Sequence, residues 1–254
     1  MQNVIRFVGK PIILLSIFFL TFIGLEAQKK KSLIKDTIRV GTQLWMRQNL
    51  NVDKFRNGTK IPQAKTREEW VKAGILKKPA WCYTDNDPIV GMKMYKLYNW
   101  YAATDKRGLA PKGWAIPSLE DWVTFRDKVN KDQRNKEKLQ SDSPYWQSDE
   151  EDEDSSEDGY DERKREKERM RNRKKSVFFA EPAGGRIYIK QGRDNDNNDE
   201  DGFFGGFRMA KWWSSTEEDT KEAWSFSVGN DELDKGNLSK EEKGFGFSIR
   251  CIKK

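Results

Sequence analysis

The chain has 254 residues, 48 Lys and Arg against 41 Asp and Glu, a formal net charge of +7, and no histidine. This length supports one or two domains with a sizeable core. With 35% of residues hydrophobic and 35% charged, part of the chain is expected to stay unpacked. The missing histidine removes the commonest general base and the commonest zinc ligand together. The charges lie in blocks, so the net sum identifies no anionic partner, and no nucleic acid is expected as one.

Arg6 and Lys10 form a positive n-region, Ile12 to Ile23 is nearly all apolar, and Gly24-Leu25-Glu26-Ala27 offers a cleavage site after Ala27. Residues 1–27 therefore read as an export signal. An uncleaved anchor is the alternative, but an apolar run of about a dozen residues is short of the roughly 20 a spanning helix needs. The mature chain is then expected in the periplasm, at the cell surface or outside the cell, with no permanent membrane span. Residues 28–37, with Lys29-Lys30-Lys31, read as a flexible lead-in.

Ile38 and Val40 alternate with polar residues, Gly41 turns the chain, and Leu44 to Met46 are apolar again, which predicts a short hairpin. Asn57-Gly58 is a turn signal. Thr66-Arg67-Glu68-Glu69 is a capping box opening a helix with Trp70, Ala73 and Leu76 on one face; Gly74 is its weak point. Pro79 to Tyr83 reads as extended. Within Met94 to Ala103, the i, i+3, i+7 spacing of Tyr95, Tyr98 and Ala102 predicts a helix whose rings belong to the core rather than to a ligand platform. Gly113-Trp114-Ala115-Ile116-Pro117 approaches in extended form a second helix. Ser118 is its N-cap, Asp121 completes a near capping box, and Trp122, Phe125 and Val129 form the apolar face up to about Lys131.

The composition then changes. Asp149 to Glu162 carries ten acids and no base, and Arg163 to Lys175 carries nine bases with only Glu166 and Glu168. Such a tract buries too little apolar surface to offset its ordering entropy. It reads as a disordered charged insertion, about 148–176, inside the domain. The acidic half neutralises the basic half in cis, which favours a solvated spacer over an anion-binding arm. The fold resumes at Val177-Phe178-Phe179, with a turn over Pro182 to Arg186, a strand at Ile187-Tyr188-Ile189, and a second acidic loop from Asp194 to Gly202. Trp212-Trp213 begins a further strand. Trp224, Phe226 and Val228 alternate, and Phe245, Phe247, Ile249 and Cys251 do the same, putting all four on one face. Helices in the first half and antiparallel sheet in the second make an α+β domain over residues 38–254. Trp114, Trp122, Trp213 and Phe247 are expected to close around one interior.

Candidate sites are few. Cys82 and Cys251 either pair in an oxidising compartment or stay as buried free thiols. Asp194, Asp196, Asp199 and Asp201 could form a low-affinity calcium loop, and Asn197, Asp199, Asp201 and Gly202 fit the first half of an EF-hand. The twelfth position is Arg208 rather than Glu, so solvated loop is the plainer reading. Gly202-Phe203-Phe204-Gly205-Gly206 follows no strand and opens no helix, which fails the context of a phosphate loop. The acids sit in polar runs rather than in the apolar or paired surroundings that split catalytic carboxylates into acid and base. No catalytic residue and no obligate cofactor are expected.

Taken in order, Val40 to Leu50, Leu97-Tyr98-Asn99-Trp100-Tyr101-Ala102, Pro111 to Trp122, Pro182 to Arg186, Trp212 to Thr216 and Gly246 to Ile252 resemble the Fibrobacter succinogenes major paralogous domain of exported bacterial proteins. Each motif is weak alone; six in order are specific. The resemblance implies a compact C-type-lectin-like domain, distantly similar also to formylglycine-generating enzymes, with a small twisted sheet, two to three helices and long loops. The family commonly carries Cys before its Pro-x-Gly-Trp and His after it, where this chain has Ala110 and Ala115. That leaves Cys82 as the intramolecular partner of Cys251. The implied role is recognition of a surface glycan or protein; the rival is a structural envelope component without a soluble ligand.

Overall fold

The computed structural model describes residues 37–131, 139–141, 143, 145–146, 176, 178–188, 201–229 and 236–254. The export signal, residues 28–36 of the lead-in, the charged insertion apart from Ser176, and Asp194, Asp196 and Asp199 lie outside the described residues. Among the described residues the architecture is α+β, with short helices and three antiparallel sheets.

The predicted hairpin forms as β1 (Thr37–Val40) and β2 (Gln43–Met46), with Gly41 at φ +60 in the turn. α1 (Arg67–Ile75) starts at the Thr66 capping box, where Glu69 N–H donates to Thr66 Oγ1 and Thr66 N–H donates to Glu69 Oε2. Trp70 is buried as expected, but Leu76 is the C-cap and stands 53% exposed, because the apolar face ends with the last turn. β3 (Trp81–Tyr83) follows, then a 3-10 turn and α2 (Pro88–Met94).

The helix predicted over Met94 to Ala103 is a correction. Tyr95 sits at φ 70 and ends α2. Lys96–Asn99 is strand β4, and only Trp100–Ala103 is helical, as α3. Pairing with β3 on one side and β11 (Gly246–Phe247) on the other overrides the helical spacing. The expectation that the rings are core holds for Tyr98: it is fully buried, and its hydroxyl donates to Val52 O at 2.7 Å while accepting from Val52 N–H at 2.8 Å.

β5 (Trp114–Ala115) leads into α4 (Leu119–Lys131). Ser118 caps it: Asp121 N–H donates to Ser118 Oγ, and Ser118 N–H donates to Asp121 Oδ2. The later strands are β6 (Gly185–Arg186), β7 (Phe203–Phe204), β8 (Met209–Glu217), β9 (Glu222–Gly229), β10 (Asn237–Glu242) and β12 (Ile252–Lys253). Thus the strand placed at Ile187 to Ile189 lies earlier, at Gly185–Arg186, where it pairs with β7 and β11.

The sheets run β1-β2-β12-β5, β10-β9-β8 and β3-β4-β11-β6-β7. The β8–β9 hairpin divides the interior. Trp212 and Trp213 are neighbours in sequence and point to opposite faces, as strand pleating requires. Trp212 joins Trp45, Trp122, Phe125, Phe178 and Phe226 under α4, with the Trp122 and Phe226 rings stacked at 4.6 Å. Trp213 joins Tyr98, Phe247, Ile249 and Cys251 on the other side, with its ring 4.5 Å from Phe247. A third cluster holds Trp70, Cys82, Met94 and Leu97. The single interior is therefore three adjoining ones, and Trp114 lies half-buried at a rim rather than inside. Each large ring takes roughly 150–250 Å² out of water, so these clusters dominate the folding energy.

Arg250, 0% exposed, ties distant chain segments together. Its guanidinium donates to Asn49 Oδ1, to the carbonyls of Arg47 and Phe178 at 2.6 and 2.9 Å, and to Phe179 O at 3.1 Å. Burial lowers its pKa to about 10, which leaves it cationic at neutral pH. The segment upstream of the charged insertion is also fixed: Ser141 N–H donates to Ala180 O, and Ala180 N–H to Leu139 O, both at 2.8 Å. Among the described residues no helix is long and apolar enough to cross a membrane.

Candidate functional site

The corner where β10 ends at Glu242 and the chain turns through Lys243 and Gly244 toward β11 gathers half-buried aromatic rings and carboxylates. Tyr188, just past β6, is wedged against two glycines. A Cβ on Gly74 of α1 would come within 2.3 Å of Tyr188 Cδ2, and one on Gly244 within 2.4 Å of Tyr188 Cδ1. The mid-helix glycine that weakens α1 in sequence terms is thus what admits this ring. Burial and a hydrogen bond to Glu242 push the Tyr188 hydroxyl up to about 12; burial and the Glu242 charge also raise Tyr101, on α3. One carboxylate therefore acts on two phenols.

Beside them, Trp100 opens α3. Its indole N–H donates to Ser214 O at 3.0 Å, and Lys243 Nζ lies 4.8 Å from the ring centre. Lys243 is buried, and its ammonium donates to Glu217 Oε1 and to Asp219 O. The β8–β9 register shifts between Trp213 and Glu217. Ser215 N–H then reaches Pro117 O, and Thr216 Oγ1 accepts from Leu119 N–H in the first turn of α4.

On the other side of β10, Lys211 Nζ donates to Glu241 Oε1 at 2.6 Å and to Ser239 Oγ at 3.2 Å. Ser239 Oγ donates to the same Glu241 oxygen at 2.8 Å, and Ser225 Oγ lies 3.0 Å from Ser239 Oγ. A lysine beside a serine suggests nucleophile and base, but these bonds make Lys211 a donor to Ser239 rather than an acceptor of its proton. What the corner offers is contact: rigid rings, hydroxyls and carboxylates in fixed positions.

The residues singled out in the sequence fall elsewhere. Of the four aspartates weighed as a calcium loop, Asp201 alone is described, and its carbonyl accepts from Arg186 Nε at 3.2 Å. Among the described residues no three His, Cys, Asp or Glu side chains gather as a metal site requires. Cys82 and Cys251 stand as separate free thiols in different core clusters rather than as a bridge. Burial raises their pKa values to about 11 and about 12, so both are inert thiols at neutral pH. A shallow groove of ≈ 450 Å³ along the outer face of α1 is lined by Arg67, Glu68, Val71, Lys72, Ile75 and Leu76. Neither Tyr188 nor Glu242 is among the candidate site residues of the sequence: Tyr188 is read there only as part of a strand, and Glu242 sits in a Lys-Glu-Glu-Lys run without a motif. Gly74, the helix's weak point in the sequence, is the available signal.

The family model of the Fibrobacter succinogenes major domain matches residues 38–253. Comparison with curated proteins and with solved structures found no match.

Proposed function

This chain belongs to the Fibrobacter succinogenes major domain family, and on that premise we propose that it is an exported, non-catalytic recognition module whose ligand, a surface glycan, docks on the corner of Trp100, Tyr101, Tyr188 and Glu242. The single observation behind this reading is the Tyr188 ring, held between Gly74 and Gly244 with its hydroxyl on Glu242. A ring fixed in advance loses little entropy on binding, which is how aromatic platforms gain affinity. Carboxylate oxygens and hydroxyls beside it accept and donate the hydrogen bonds that orient a polyol. Export rests on the n-region, apolar run and cleavage site at residues 1–27.

The test is a glycan array probed with the mature chain and with Tyr188→Ala. Selective binding that the variant loses supports the reading. Binding that survives in the variant, or none to any glycan, removes it and leaves the structural envelope component as the better account.

A further inference from the structure

We propose that Asn57 is a self-modification site. The chain converts this asparagine through a succinimide to aspartate and isoaspartate, and the isoaspartate loosens the Phe55 edge of the core. The inference stands apart from the recognition reading and needs no ligand. Water is the co-reactant.

Asn57-Gly58 is the one Asn-Gly pair in the sequence. Asn57, Gly58 and Thr59 are all exposed, at the tip of a turn. Gly58 N–H donates to Phe55 O at 2.8 Å, and Phe55 N–H donates to Thr59 O at 2.9 Å. Asn57 Oδ1 accepts from Thr59 N–H at 3.0 Å. That bond folds the carboxamide back along the chain, in a ring that contains both Asn57 Cγ and the Gly58 nitrogen. It also polarises the side-chain carbonyl toward attack. Gly58 stands at φ +87, and a Cβ there would meet nothing within 4 Å, so neither a side chain of its own nor a neighbour crowds the reaction. The other described asparagines are less suited. Asn49 and Asn99 are buried, and Asn130 lies within α4. Asn51 and Asn237 are exposed, but the branched side chains of Val52 and Leu238 follow them and hinder ring closure. Asn86 precedes Asp87, and its Oδ1 accepts from Arg186 Nη1 at 3.3 Å.

The step balances with water alone. Gly58 N–H gives its proton to water, its nitrogen bonds to Asn57 Cγ, and Nδ2 leaves as ammonia. Water then opens the imide. Cleavage at Cγ gives aspartate; cleavage of the original peptide bond gives isoaspartate, with the main chain rerouted through Cγ and one carbon longer. The restraint is the bond from Gly58 N–H to Phe55 O, which has to open first. A lengthened main chain cannot keep both turn bonds. Phe55 is buried in the cluster of Leu109 and Ala110, and Arg56 N–H donates to Gly108 O at 2.7 Å, so a change at the tip reaches the core.

The test incubates the purified chain in warm, mildly alkaline buffer, folded and in urea. Peptide mass and isoaspartyl methyltransferase labelling then locate the products. Folded protein is expected to convert at Asn57 before any other asparagine, about tenfold more slowly than unfolded protein, the protection of one hydrogen bond. Asn57→Gln, which would have to close a larger ring, should stay unconverted at this position. The isoaspartyl fraction should unfold at a lower urea midpoint than fresh protein or Asn57→Gln. An Asn57 that stays intact in folded protein while it converts in urea, or earlier conversion at another asparagine, would overturn the site. An unchanged midpoint would overturn its link to the core.

Discussion

Arg250 and Lys243 are both buried cations, and the difference between them separates the interior of this molecule from its proposed recognition surface. Arg250 sits inside, and its hydrogen bonds end on neutral oxygens: Asn49 Oδ1 and the carbonyls of Met46, Arg47, Phe178 and Phe179. It joins three distant chain segments and presents nothing to solvent. Lys243 sits at the rim, and its partner Glu217 is largely exposed. There the charge pairing fixes carboxylates where a ligand can meet them. The interior cation is thus a clasp for the fold, and the rim cation a support for a surface.

The largest expected effect breaks the clasp. Arg250→Met takes a donor from the buried carbonyls of Arg47, Phe178 and Phe179 and leaves Asn49 Oδ1 with the Trp212 indole N–H, and should cost about 3 kcal/mol or more in denaturant unfolding. A loss near zero would mean that water replaces the guanidinium and that the comparison is misdrawn. At the corner, Gly74→Ala forces a methyl group against Tyr188 and should cost about 1–3 kcal/mol, most of it recovered in the Gly74→Ala/Tyr188→Ala pair. Additive losses in that cycle would show that the glycine serves α1 and not the ring.

A smaller effect is set by pH. The Tyr188 hydroxyl holds its proton more tightly folded than unfolded, so its contribution is complete below pH 10 and is lost as pH rises from 10 toward 12. Across that window the native chain should lose more stability than Tyr188→Phe, measured by urea midpoints. Equal losses would detach Tyr188 from Glu242. The smallest perturbation is chemical. Native protein should leave a thiol reagent unreacted at neutral pH, and unfolding without reductant should release two thiols, Cys82 and Cys251. No thiols on unfolding would restore the disulfide.

What the sequence revealed divides along the same line. The capped helices, the alternating Phe245 to Cys251 face and the aromatic interior follow from local periodicity, and local periodicity is legible. The region around Tyr98 is not, because its i, i+3, i+7 spacing is helical while its hydrogen bonds go to β3 and β11, distant in sequence. Arg250 reads as one polar residue in an alternating strand; its burial depends on acceptors supplied by residues 46–49 and 178–179. The corner was hidden for the same reason. Tyr188, Gly74 and Gly244 are far apart along the chain, and only their meeting gives any of them a role.

That the corner is the ligand surface is tested most directly by amide chemical shifts followed during a titration with a glycan the array selects. It predicts perturbations gathered on Trp100, Tyr101, Tyr188 and residues 241–244. Shifts concentrated on the outer face of α1, or on Phe203 to Phe207, would contradict it.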